Sequence, residues 1–118
     1  MASSPIFRRY PGYLYVRIPR QIASIEEAFT IQRLVRSACQ ERNDRRVMFD
    51  NRYTVSPTES VRETMFSWAC FAFERAALVL QSQEVAVRAN VEAMSRRAPL
   101  RAFHSEIEAA HWLSGSRD

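Results

Sequence analysis

Asp50 is the side chain whose type and place in this sequence first suggest chemistry. It follows the short apolar run Val47-Met48-Phe49 and is followed by Asn51 and Arg52. A carboxylate at the end of a strand sits where α/β proteins gather functional groups. Asp50 with its two neighbours is either a polar ligand site or a plain strand exit that caps backbone groups. A few residues on, Ser56-Pro57-Thr58-Glu59 reads as a helix start, with serine as N-cap, proline in the first helical position and glutamate in the third. A hydroxyl there is also a suitable phosphoacceptor, because free N–H groups and the helix dipole favour a phosphate. Ser56, Thr58 and Asp50 are therefore the candidate phosphoacceptor or loop-site residues.

The other reactive types point away from catalysis. Cys39 and Cys70 both fall inside apparent helices, away from an N-terminus that would stabilise a thiolate, so both read as buried, inert thiols. His104 and His111 are the two histidines, and a metal site needs three or four ligands. All 17 basic residues are arginine, which excludes Schiff-base chemistry and a phosphate-loop lysine. Gly12 and Gly115 are the two glycines, which excludes a Gly-rich dinucleotide fingerprint. No nucleophile–base set can be assigned from spacing, so no catalytic residue, metal or cofactor is expected.

A net charge of +4 permits nucleic acid without requiring it. Arginines gather at Arg8-Arg9, Arg42-Arg45-Arg46 and Arg96-Arg97-Arg101, and Tyr10, Tyr13 and Tyr15 could stack bases beside them. No recognised nucleic-acid motif accompanies them. The start Met1-Ala2-Ser3-Ser4-Pro5 lacks a signal-peptide core, no run reaches the length of a membrane span, and the two cysteines form no CxxC pair. A cytoplasmic location is the expectation.

The elements that must position these residues are legible in turn. Ile6–Tyr10 and Tyr13–Ile18 flank Pro11-Gly12, a turn in which proline presets φ and glycine supplies φ > 0. Leu14, Val16 and Ile18 then face one way, and Tyr13, Tyr15 and Arg17 the other. Ser24-Ile25-Glu26-Glu27 is a capping box opening a helix to about Arg42, with Ile25, Ala28, Ile31, Val35 and Ala38 as its apolar stripe. Short apolar strands follow at 47–49, 76–80 and 100–103. They alternate with helices starting near Ser56, at Ser82 (stripe Val87, Val91, Met94) and at Ser105 (Ala109, Trp112, Leu113). Trp112 and Leu113 are expected to be buried to dock the last helix. Residues 1–118 suit one α/β domain, core about 10–114, with a small, mostly parallel sheet, about four helices and an N-terminal hairpin.

Three stretches carry a resemblance. Arg45-Arg46-Val47-Met48-Phe49-Asp50, then Ser56-Pro57 opening a helix, then Arg75-Ala76-Ala77-Leu78-Val79-Leu80 resembles the STAS superfamily, and within it the bacterial SpoIIAA-like group, relatives of the anti-sigma-factor antagonists. The ending from Leu100 to Leu113 is similar to that group's close. The resemblance implies a right-handed βα superhelix with helices largely on one side of the sheet. It also implies a non-enzymatic module that binds proteins or small ligands. The group's regulatory members are phosphorylated on a serine in an Asp-Ser-Ser/Thr-Gly motif. Here Thr54-Val55-Ser56-Pro57-Thr58-Glu59 lacks the aspartate and the glycine, leaving Ser56 or Thr58 in that place.

Two surfaces then stand out for a protein partner or a second copy. One is the Tyr13-Tyr15-Arg17 face, opposite the core face of its strand and rich in residue types of binding hot spots. The other is Phe66, Cys70 and Phe73, a second apolar stripe on the helix that already carries Val61, Met65, Trp68 and Ala72. A helix apolar on two faces is either deeply buried or part of an interface. The expected function is a regulatory protein-interaction module. The alternatives are a small-ligand domain with its site at the strand C-termini near Asp50, Ser56 and Ser82, or nucleic-acid binding through the arginine and tyrosine surface.

Overall fold

The computed structural model describes residues 4–18, 21–52 and 58–115. Strands β1 (Ile6–Tyr10) and β2 (Tyr13–Arg17) form an antiparallel hairpin with Tyr10 opposite Tyr13. Gly12 has φ +88°, the left-handed conformation this turn requires and glycine adopts without strain. Then come α1 (Ile25–Arg42), β3 (Arg46–Asp50), α2 (Glu59–Phe71), β4 (Arg75–Val79), α3 (Gln83–Ser95), β5 (Leu100–Phe103) and α4 (Glu106–Ser114). One five-stranded sheet runs in the order β1-β2-β3-β4-β5, and β2 to β5 are parallel.

Each parallel step moves one strand along in the same direction. Crossovers of one hand then put α1, α2 and α3 on a common face. Leu14, Val16, Val47, Phe49, Ala76 and Leu78 meet them there in the larger core cluster, with Ile31 and Val35 of α1 and Val61 and Cys70 of α2. Because strand residues alternate, Tyr13, Tyr15, Met48, Ala77 and Val79 face the opposite side. That side is covered by α4, through Ala109 and Leu113. Both faces of β3 and β4 are therefore buried, which is why they read as unbroken apolar runs.

The serine caps form as expected. The hydroxyls of Ser24, Ser82 and Ser105 accept from the N–H groups of Glu27, Val85 and Glu108, and the Glu27 carboxylate accepts from Ala23 N. The start of α2 differs. Its N-cap is Thr58, whose side chain makes no capping bond, and the helix begins at Glu59, so Glu59 is its first and not its third residue. Ser56 and Pro57 lie outside the described residues.

Arginines tie α4 to the start of the sheet. Arg46 Nη1 donates to the carbonyls of Leu113 and Gly115 at 2.5 and 2.9 Å, and Arg75 Nη1 to that of Trp112 at 2.6 Å. These carbonyls lie at or just past the helix end, where such groups need partners from outside the helix, and that of Trp112 also accepts the Gly115 N–H at 3.3 Å. Leu113 is fully buried, but Trp112 is only half-buried, its ring flanked by the guanidinium groups of Arg75 and Arg101. The expectation of a buried Trp112 is corrected accordingly.

Helix α3 also departs from its sequence reading. Its buried residues are Ala86 and Ala93, while Val87, Val91 and Met94 point outward. Asn90 explains part of this orientation. Its side chain donates to the Ala102 carbonyl at 3.0 Å and accepts from the Ala102 N–H at 2.7 Å. It thereby satisfies backbone groups on β5, one of the two edge strands, and obstructs strand addition there. Asn90→Ala is expected to lose about 1–3 kcal/mol, since both backbone groups lose their partner. Asn90→Asp, which keeps only the acceptor, should fall between. Urea midpoints check the order, and equal midpoints for all three proteins would contradict it.

Candidate functional site

The alternation that buries Tyr15 also directs Asp50 to the α4 face. Tyr15 pairs with Met48 and Arg17 with Asp50 in the parallel register, so these side chains share one side. The Tyr15 hydroxyl donates to Asp50 Oδ2 at 2.5 Å. Arg52, just past the strand end, folds back on the same carboxylate. Its Nε reaches Oδ1 at 2.9 Å, its Nη2 reaches Oδ2 at 2.8 Å, and its backbone N–H reaches Oδ1 at 3.2 Å. Nη2 also meets Glu106 Oε1, at the start of α4, at 2.8 Å. Gln81 Nε2, just past β4, donates to the Arg52 carbonyl at 2.7 Å.

Asp50 is fully buried, yet each of its oxygens accepts two hydrogen bonds. Burial pushes its pKa up, but the Arg52 guanidinium, the Tyr15 hydroxyl and the Arg52 N–H push it further down, so it lies below the usual carboxylate value. Burial, and then the bond and charge of Asp50, hold the Tyr15 hydroxyl well above its ordinary pKa. A saturated carboxylate held ionised and a phenol held protonated have no proton to exchange near neutrality. The arrangement is an ion-pair clamp joining β2, β3, the end of β4 and α4.

The tyrosine surface expected from sequence is absent. Tyr13 and Tyr15 are 6% and 4% exposed, because α4 covers their face, and Tyr10 stacks on Tyr13 with ring centroids 5.1 Å apart. Arg17 is only half-buried at the end of that strand. Base stacking on these rings is closed off with the same stroke. The Phe66-Cys70-Phe73 stripe is corrected too. Cys70 is fully buried, and Phe66 and Phe73 pack half-buried against the larger core. Arg96 lies over the Phe66 ring at 5.1 Å while bonding Glu92 and Glu63.

Burial raises both thiols. Cys39, with Asp44 adding to the effect, is pushed up to about 11, and Cys70 moves the same way. His104 and His111 are exposed, and among the described residues no group of three histidine, cysteine or acidic side chains could hold a metal ion. Thr58 keeps a hydroxyl 3.5 Å from that of Ser60, and Ser56 lies outside the described residues.

The small-ligand alternative put a site at the strand C-termini near Asp50, Ser56 and Ser82. A cavity of about 280 Å³ does lie at that end, where β3 and β4 meet α2 and α3, but on the other face of the sheet, and neither Asp50 nor Ser82 lines it. Phe49, Met65, Phe66, Trp68, Leu78 and Leu80 supply its apolar wall, and Asn51, Arg62 and Gln81 its polar part. Trp68 stands edge-on to Phe49 and Phe73, at centroid distances of 5.7 and 5.3 Å. Ala69 of α2 and Ala89 of α3 line it with small side chains, leaving the space open. The signal for it was present in the two apolar stripes of α2, since Met65 and Trp68 of one and Phe66 of the other line it. A wider groove of about 730 Å³ lies at the opposite end of the sheet, among Arg36, Asp44, Arg45 and Glu74, with Trp68, Ala72 and Phe73 as its apolar part. It lies away from the strand ends where such folds bind ligands.

Strand order, three crossover helices on one face and a closing helix on the other define an α/β domain with a SpoIIAA-like fold. The chain is similar to the crystal structure of an uncharacterized DUF3478-family protein with a SpoIIAA-like fold from Shewanella loihica PV-4, with a TM-score of 0.66, 14% identity, and 93% of this chain matched to 92% of that one. No family model matches the sequence, and no curated protein does. No helix among the described residues is long and apolar enough to cross a membrane.

Proposed function

We propose that this chain is a non-catalytic, STAS-like binding module whose cavity takes a compact, largely apolar ligand with an acceptor or anionic end. The cavity between α2, α3 and the strand ends is the observation that supports this reading. Its volume of about 280 Å³ is nearly twice that of an engineered cavity of about 150 Å³ that holds benzene, so a bicyclic aromatic or a short aliphatic chain suits it. An apolar wall with a few polar groups to one side fixes the orientation of a ligand, and Arg62 is the cation among them. The Asp50 clamp acts beside it as a brace, holding Asn51 and Gln81 at the strand ends.

The test uses Trp68, which lines both the cavity and the wider groove, whereas Trp112 lies on the α4 face. Ala89 lines the cavity and not the groove, so a variant there separates the two. Titration with 1-naphthoate or octanoate is expected to change tryptophan emission saturably and to raise the melting temperature. Ala89→Phe should fill the cavity and abolish both effects while leaving the circular dichroism unchanged. No saturable change with either probe, or equal binding by Ala89→Phe, overturns the reading. Association with protein is the second reading, and the apolar row that α3 turns outward favours it.

A further inference from the structure

We propose that the outer face of α3 joins two copies of this chain, helix against antiparallel helix, about a two-fold axis. Val87, Val91 and Met94 are 52%, 63% and 75% exposed. Their spacing of four and three residues aligns them in one row along the helix. The same helix turns alanines inward, so its larger apolar side chains are the ones left in water. Scattered exposed apolar residues need no explanation, but a continuous row along one helix is the usual mark of a docking face.

Charge placement identifies the occupant as a second copy. Val87 and Met94 share a midpoint between Asn90 and Val91. A two-fold axis through that midpoint sets each valine beside the other copy's methionine and leaves the Val91 side chains together near the centre. Glu84 lies in the first turn of the helix, and Arg97 lies two residues past its last residue, at φ 56° where the chain turns away. The same axis therefore brings the acidic start of each helix, at Glu84, to the basic end of the other, at Arg97. Such self-complementarity is what an isologous interface requires. The partners are available. The Glu84 side chain is 85% exposed and reaches only Arg88, at 4.0 Å. Arg97 is exposed, and its side chain has no ion pair among the described residues. Antiparallel helices also set opposite dipole ends side by side.

The neighbouring sheet edge excludes another mode of pairing. Asn90 already occupies the backbone N–H and C=O of Ala102 on β5, so association at this edge proceeds through α3 side chains and not by adding a strand to β5. A helix of 13 residues is about 20 Å long, which places this interface at the small end of specific contacts. The dimer is therefore concentration-dependent.

Sedimentation equilibrium of the full chain from micromolar to millimolar concentration tests this. The wild type should pass from the mass of one chain to that of two. Val91→Glu should stay at one chain throughout, with its melting temperature at low concentration unchanged. Glu84→Arg alone should weaken association about tenfold, since it sets two like-charge pairs in place of two ion pairs, and Arg97→Glu added to it should restore it. A wild type that stays single at every concentration overturns the proposal, whatever other protein or surface the row meets. A dimer indifferent to Val91→Glu, or one the charge swap fails to restore, overturns it equally. Val91, Glu84 and Arg97 do not line the cavity, so loss of ligand binding and loss of pairing are read separately.

Discussion

Tyr15→Glu is expected to leave the protein unfolded at neutral pH. Tyr15 is 4% exposed, packed in the cluster with Met48, Ala77, Val79 and Leu113. A carboxylate there loses the ring's packing and faces the ionised Asp50, which accepts the native hydroxyl bond. Removing a buried aromatic side chain costs about 3–5 kcal/mol, and a buried unpaired charge adds several more. The sum reaches the whole stability of an ordinary domain, about 5–15 kcal/mol. Tyr15→Phe is the control. It removes only the hydroxyl, should lose about 1–3 kcal/mol and should stay folded. Far-UV circular dichroism and urea unfolding distinguish the two. A folded Tyr15→Glu variant with the wild-type melting temperature would place this side chain on the surface after all.

Arg52→Ala is expected to cost about 3–5 kcal/mol near neutral pH and to reverse the sign of one pH dependence. In the native protein the pKa of Asp50 is lowered, so the unfolded chain binds more protons than the folded one between the two pKa values. The stability that Asp50 contributes is fully present above its unfolded pKa and is lost as pH falls through the lower folded pKa. Removing the guanidinium takes away the largest force opposing burial. Asp50 then keeps the Tyr15 hydroxyl and a backbone N–H, and its folded pKa rises above the unfolded one. The variant should therefore lose stability as pH rises through that window, where the wild type is level or gains. Urea midpoints measured across the acid range for both proteins give the two slopes, and parallel curves would mean Arg52 does not set the charge state of Asp50. Glu106→Gln, at the half-exposed outer end of the clamp, should change stability by no more than about 1 kcal/mol.

The two variants share a lesson about adjacency. Tyr15 and Asp50 are 35 residues apart, and the β2–β3 register is what brings them together. In the sequence, Asp50 is only a carboxylate at a strand end and Tyr15 only a polar-faced aromatic. Neither carries a local mark of the other, so a buried clamp and an exposed binding face read alike.

Short-range physics made much of the fold legible. Pro11-Gly12 dictates its turn through φ alone, and Ser24, Ser82 and Ser105 satisfy helix N–H groups three residues ahead. Apolar runs separated by amphipathic segments require crossovers, and the resemblance to SpoIIAA-like domains rests on that order of elements. At α2 the same local logic slipped by two residues, with the N-cap at Thr58 and not at Ser56. Periodicity did identify the buried face of α1, where Ala28, Ile31, Val35 and Ala38 are all buried, but tertiary structure decided the matter elsewhere. For α3 the alanines went inward, where Asn90 must reach the edge strand, and the valines and Met94 were left outside. For α4 the choice of the second sheet face turned Tyr13 and Tyr15 from a surface into a core. Periodicity identifies an apolar face, but burial depends on what else needs that space, and only the assembled chain sets those competing claims against each other.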